Sequence, residues 1–162
     1  MSQTKLERGR EWLEELMKLG GLPSQVEATD NGEGYWLIVN ATDLTPEQIS
    51  ILIGSDGRVL DSIQYLANSI LNIGKSDDEQ AAYTVELDGY RLKRQEELRE
   101  RAREIAQQVR ESGQECEIAS LSSAERRQMH TFLKEDGDLE TFSRGQEPDR
   151  RLVVRLHQVE ES

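Results

Sequence analysis

The 162-residue sequence contains one cysteine, two histidines and three prolines, and these scarcities exclude more chemistry than they suggest. The lone Cys116 cannot close an internal disulfide; it falls where a short strand would bury it as a small core residue. With His130 and His157 as the only imidazoles, no His or Cys cluster has metal-ligand spacing, so neither a metal nor another cofactor is expected. No nucleophile elbow and no Walker-type phosphate loop occurs. Carboxylate pairs such as Asp77-Asp78 and Glu96-Glu97 read as solvated faces in so acidic a chain, and catalysis is not expected. No apolar run approaches the ~20 residues that cross a bilayer. The N-terminus, with Glu7, Arg8 and Arg10, lacks the apolar core of a signal peptide, so a cytoplasmic protein with no membrane partner is expected.

Positive charge is also scarce. Lys and Arg number 20 against 32 Asp and Glu, for a net charge of -12, the opposite of the usual nucleic-acid footprint. The deficit is uneven: residues 1–88 hold 6 basic and 16 acidic side chains, and residues 89–162 hold 14 and 16. Long-range steering of a polyanion would be poor, and any such binding would rest on local contacts. The acidic first half could equally contact a basic protein partner. At 35% hydrophobic content the chain can bury two small cores.

What is present is a patterned series of elements. Trp12, Leu13, Leu16, Met17 and Leu19 predict a helix ending at Gly20-Gly21. Gln25 to Thr29 and Tyr35 to Asn40 read as strands joined by the turn Asp30-Asn31-Gly32-Glu33-Gly34. Thr45-Pro46-Glu47-Gln48 combines an N-cap, a proline at the first helical position and a capping-box glutamine, opening a short helix with Ile49, Leu52 and Ile53 on one face. Trp12 and Trp36 sit within apolar patterns and are expected in packing rather than in base stacking. Val59, Leu60, Ile63, Leu66, Ala67, Ile70 and Leu71 then recur at helical spacing until Asn72-Ile73-Gly74 stops them. Between the two helices lies Gly54-Ser55-Asp56-Gly57. Glycine has no Cβ to keep another chain away, and the helix it opens directs N–H groups and a positive dipole end outward, which suits a phosphate. Lys75 to Glu79 reads as a solvated loop, and Ala82 to Asp88 alternates as a half-buried strand.

The order helix, strand, strand, helix, GxxG, helix, strand resembles the type II KH domain, which clamps about four nucleotides of single-stranded backbone with its GxxG loop. By that resemblance Ile53, Gly54, Ser55, Asp56, Gly57 and Arg58 would line the clamp, with Ile53 and Val59 packing on bases. Asp56 departs from the basic residues that many relatives carry there and would repel a phosphate by roughly 1 kcal/mol at contact distance.

Residues 91–111 predict a long amphipathic helix with Leu92, Leu98, Ala102, Ile105, Ala106 and Val109 on its apolar side. Glu117 to Ala119 follow as a short strand, and Ser122-Ser123-Ala124-Glu125 as a second capping box. The helix it opens carries Arg126, Arg127 and His130, and Leu139 to Ser143 and Arg151 to His157 complete the pattern as strands. Arg126 and His130 lie four apart on one helix face, beside the stripe of Met129, Phe132 and Leu133. There they either present donors to phosphate and base, or tie the helix to its neighbouring strands. In the last strand Leu152, Val154 and Leu156 are expected inward, leaving Arg151, Arg155 and His157 as a partly basic outer stripe.

This second half resembles an R-three-H domain, named for an arginine and a histidine separated by three residues. The tandem, with the Leu60 to Leu66 run and the Glu147-Pro148-x-Arg150-Arg151 run, is similar to the Jag (KhpB) family of bacterial RNA-binding proteins. The resemblance implies an α+β chain of two tandem α/β sandwich modules: a type II KH module over residues 1–88, and an R-three-H module of helices packed on a three-stranded sheet over residues 89–162. It implies a regulatory protein that binds single-stranded RNA without catalysis, with single-stranded DNA left open as a second ligand, and with Arg126, Arg127, His130, Arg150 and Arg151 as the second set of contacts. Family members often act alongside a small separate KH protein. Many carry a further N-terminal domain; none is expected within these 162 residues, so nothing residing there is carried over. The alternative is a protein-interaction module whose acidic first half takes a basic partner.

Overall fold

The computed structural model describes residues 3–158 and is a mixed α+β chain with two small three-stranded sheets, each covered by helices. It divides into two compact units between Arg91 and Leu92. The first unit thus extends past the strand expected to close it. Its last residue is anchored there: Arg91 Nε donates to Val85 O at 2.7 Å, its Nη1 to Asp61 at 2.9 Å, and its N–H to the buried carboxylate of Glu86.

The first unit runs α1 (Lys5–Leu19), β1 (Val26–Asp30), β2 (Tyr35–Val39), α2 (Pro46–Ile53), α3 (Arg58–Leu71) and β3 (Tyr83–Leu87). Thr45 and Gln48 form the expected reciprocal capping box on α2, and Thr4 and Glu7 form another on α1. In the sheet β2 is central, antiparallel to β1 and parallel to β3. Leu13, Leu37, Leu60, Ala67, Val85 and Leu87 form the centre of its core.

The outer edge of β3 is closed by side chains. Gln64 and Asn68 on α3 and Asn72 at its C-terminal cap, spaced four apart, replace a neighbouring strand. Asn68 donates to Tyr83 O and accepts from Tyr83 N, both at 2.8 Å; Asn72 does the same for Ala81; Gln64 accepts from Val85 N at 3.0 Å. This amide ladder fixes α3 against the sheet, and so fixes where the Gly54–Gly57 turn stands. On α3 only part of the expected apolar arc is covered: Leu60, Ala67 and Leu71 are buried, whereas Val59, Leu66 and Ile70 are exposed.

The second unit contains most of α4 (Tyr90–Ser112), then β4 (Cys116–Ile118), α5 (Ser123–Lys134), β5 (Leu139–Arg144) and β6 (Arg151–Leu156). Its antiparallel sheet has the order β4-β6-β5. Leu98, Ala102, Ala106 and Val109 of α4 pack with Met129 and Leu133 of α5 and with Leu152 and Val154 of β6. Leu92, expected on the apolar side of α4, is exposed because it precedes the part of the helix that meets this core. The last strand stops at Leu156, so His157 lies beyond it, with its N–H donating to Asp138 O at 2.8 Å.

Candidate nucleic-acid interface

Each unit carries one expected site. In the first, α2 ends at Gly54, whose φ of 73° and ψ of -178° suit glycine alone. Ser55 to Gly57 make a single tight turn through Asp56 at φ 53°, and Gly57 opens α3 at φ 78° with no side chain capping the first turn. Ser55, Asp56 and Arg58 are exposed, Ile53 and Gly54 half-buried, and Gly57 buried. The turn is therefore presented to solvent at Ser55, Asp56 and Arg58.

The glycines serve a different need from the one expected. A Cβ on Gly57 would lie 2.6 Å from the Tyr90 ring, and one on Gly54 would lie 2.5 Å from Cγ2 of Val59. The space next to both is taken by the chain's own residues. The missing side chains are thus explained by internal packing and left-handed backbone, and they do not hold room open for a sugar-phosphate chain.

In the second unit the Ser122–Glu125 capping box starts α5 and turns Ser123, Arg126, Arg127 and His130 toward β5 and β6. Together with Thr141, Ser143, Leu152 and Arg150 they line a cavity of about 380 Å³. Four of the five residues expected here are brought together; Arg151 is not. It stands on the opposite face of the sheet and pairs with Glu117 at 3.3 Å.

The two residues of the signature pair behave as the tethering alternative requires. Arg126 is only 6% exposed. Its Nη1 donates to Leu121 O at 2.8 Å and to Arg150 O at 3.5 Å, and its Nη2 donates to Ser123 Oγ at 3.1 Å and to the Glu147 carboxylate. The expected free donor fork at an edge is therefore corrected: acceptors from Leu121 and the Glu147–Arg150 loop draw the guanidinium inward. His130 is half-buried, with Nδ1 hydrogen-bonded to the Thr141 hydroxyl, while Nε2 has no partner among the described residues. Arg127 and Arg150 are exposed, and no side-chain hydrogen bond or ion pair engages either guanidinium among the described residues.

The expected basic stripe on β6 is likewise neutralised. Of its residues Arg151 pairs with Glu117 and Arg155 bonds Glu140 at 3.0 Å; next to them on β5, Arg144 bonds Glu117 at 2.6 Å and Glu115 at 3.1 Å. These contacts hold the Glu117 and Glu140 carboxyls below the ordinary carboxylate range, chiefly through hydrogen bonds from Arg144 and Arg155 respectively. Arg144 and Arg155 also lie over the Phe142 ring, and Val153 beside it is fully buried on a face expected to be solvated. No motif in the sequence points to the hydroxyls of Ser123, Thr141 and Ser143, although the two-residue period of β5 places Thr141 and Ser143 on the face of Leu139, which is buried.

Among the described residues no group of His, Cys, Asp and Glu is disposed to hold a metal ion, and no helix is long and apolar enough to cross a membrane.

Helix α5 laid on a three-stranded sheet, with an arginine and a histidine four apart at a hydroxyl-lined cavity, defines a class of domain, and residues 96–156 match it: this part of the chain is an R-three-H domain. Over 154 residues the chain is 29% identical to RNA-binding protein KhpB of Clostridium symbiosum, an alignment covering 95% of this chain and 67% of the relative. It is 30% identical over 113 residues to RNA-binding protein KhpB of Bacillus subtilis, covering 68% of this chain and 53% of that one. A third relative, RNA-binding protein KhpB of Lactiplantibacillus plantarum, is 29% identical over 106 residues, covering 65% of this chain and 32% of that protein. The chain is thus similar along most of its length to proteins of the Jag/KhpB family, and spans about two thirds of the first relative and about half of the second.

Proposed function

We propose that this chain binds single-stranded RNA and catalyses no reaction. The curated relatives are RNA-binding proteins by name, and the R-three-H domain agrees with that reading. The observation that carries it is the cavity beside α5, where Arg127 and Arg150, exposed and unpaired among the described residues, stand with His130 and three hydroxyls. On a chain of net charge -12, two unneutralised guanidiniums beside hydroxyl donors make a local anion site where the global field is unfavourable.

The first unit acts as a KH module of type II, and its contribution is the uncapped start of α3. The positive end of the α3 dipole attracts a phosphate there, while Ile53 and the exposed Val59 supply apolar contact for a base. Asp56 at the tip of the turn opposes this, so the first unit is the weaker of the two anion sites.

Fluorescence anisotropy with short labelled RNA and DNA single strands tests the reading. Binding that weakens with salt and is displaced by unlabelled single strands supports it; no binding at low salt rejects it.

A second reading has its own support. A groove beside β1, the open edge of the first sheet, is lined by Glu14 and Asp43 against Arg10 and Lys18, and Glu7 and Glu27 extend it. An acidic groove along a strand edge suits an extended basic peptide. Reversing Glu7, Glu14 and Glu27 to lysine would abolish such binding and leave RNA affinity unreduced.

A further inference from the structure

The geometry assigns phosphate contact in the α5 cavity to Arg127 and Arg150, and gives Arg126, the arginine of the signature pair, the role of a buried positioning strut. The inference rests on the RNA-binding reading above and divides the labour within that site.

A guanidinium has five N–H donors and no acceptor, so its possible partners can be counted. Both terminal nitrogens of Arg126 are already committed to the protein: Nη1 to two backbone carbonyls, and Nη2 to Ser123 and Glu147. A phosphate approaching Nη2 would have to displace the Glu147 carboxylate, exchanging one anion for another. The net gain from such an exchange is the small difference between two similar charge-assisted bonds. It would also break the existing Arg126–Glu147 pair, a penalty set against the new bond.

Arg127 and Arg150 carry no such penalty. Arg127 is the next residue along α5, rotated by a helical step away from the core, and its side chain is exposed and unpaired among the described residues. Arg150 immediately precedes β6, and its carbonyl is one of the groups Arg126 holds. Arg126 thus fixes the segment that delivers Arg150 to the cavity, while its own charge is matched by Glu147. Both exposed arginines can give a whole face of donors to an incoming phosphate without breaking an internal bond.

The number of phosphates neutralised is readable from the salt dependence of binding, whose log–log slope on a single strand falls by about 0.7 for each phosphate no longer engaged. The experiment is an anisotropy titration of labelled oligouridine across a salt series, at a temperature well below unfolding, for the full chain and four variants, each with its melting midpoint. Arg127→Ala and Arg150→Ala are each expected to reduce the slope by about 0.7 with the midpoint unchanged. Arg126→Gln, made in the Arg150→Ala background so that displacement of Arg150 drops out, is expected to lower the midpoint and keep the slope of Arg150→Ala. Glu147→Gln approaches the same pairing from the acceptor side, and is expected to keep the slope as well. A slope that Arg126→Gln reduces below the Arg150→Ala value in that background, or a steeper slope with tighter binding in Glu147→Gln, would make Arg126 itself a phosphate ligand and overturn the assignment. If Arg126→Gln does not fold, Glu147→Gln decides. RNA binding whose slope ignores both Arg127 and Arg150 overturns this assignment alone, whereas an unsubstituted chain that binds no RNA at low salt overturns it together with the reading beneath it.

Discussion

The ring of Tyr90 occupies the place where a side chain on Gly57 would begin, with 2.6 Å between Tyr90 Cε1 and the position of a Cβ. This contact joins the first residue of α4 to the turn that opens α3. It means that a substitution at Gly57 reports first on packing and only then on ligand. Gly57→Ala is expected to cost about 1–3 kcal/mol in urea denaturation, from steric overlap and from a φ of 78° that alanine resists. In a Tyr90→Ala background the same change should cost only the backbone part, about 1 kcal/mol. Equal costs in the two backgrounds would show that the ring is not the obstacle.

Asp56 offers a cleaner probe of the same turn. It is exposed, and its φ of 53° is one that asparagine tolerates, so Asp56→Asn removes a charge and leaves the backbone undisturbed. Binding of single-stranded RNA is expected to tighten by up to about fivefold at low salt, about 1 kcal/mol, with the gain fading as salt rises. An unchanged affinity at low salt would place the turn outside the RNA path.

The amide ladder predicts a stability loss that hydrophobic burial does not. Tyr83 is 2% exposed, and its backbone N–H and C=O are both satisfied by Asn68. Asn68→Ala leaves both unpaired and is expected to cost about 2–4 kcal/mol. Gln64→Ala strands only the Val85 N–H and should cost about 1–2 kcal/mol. A loss below about 0.5 kcal/mol for Asn68→Ala would mean that water replaces the ladder freely.

The paired carboxylates of the second sheet set a pH response. Glu117 and Glu140 titrate below the ordinary value of 4.5, because arginine hydrogen bonds favour their charged forms. A carboxyl lowered in the folded state contributes stability above its unfolded pKa, and that contribution disappears as pH falls through the folded one. The melting midpoint should therefore be flat over roughly pH 6–8 and decline below about pH 4. In a carboxyl NMR titration, Arg144→Ala should return Glu117 toward 4.5 while Glu140 stays low. A Glu117 that titrates at its ordinary value in the unsubstituted chain would contradict the pairing.

Element order, the capping boxes of α2 and α5 and the GxxG turn are legible in the sequence because local residues determine them. Thr45-Pro46-Glu47-Gln48 specifies a helix start whatever surrounds it. The departures arise where distant segments decide. Periodicity defines an apolar arc on α3 but cannot tell which side of that arc is covered, so Leu60 and Leu66 read alike and differ in burial. Helical spacing puts Arg126 at an edge, yet its direction is set by acceptors at Leu121, Arg150 and Glu147, which no local pattern announces. Arg151 and Arg155 read as an outward basic stripe because their partners, Glu117 and Glu140, come from other strands, 34 and 15 residues earlier in the chain.

The three amides along α3 also limit how copies of the first unit can associate. A sheet extends by offering bare backbone, and here one flank is already occupied by the unit's own helix, while on the other the Val26 N–H of β1 is covered by Glu14 and the rest of that strand's outer edge is open. Two copies joined β1 to β1 would present a finished border on each side, leaving nothing for a third to grip. Stacking of this sheet would therefore end at a closed pair instead of running on into a fibre.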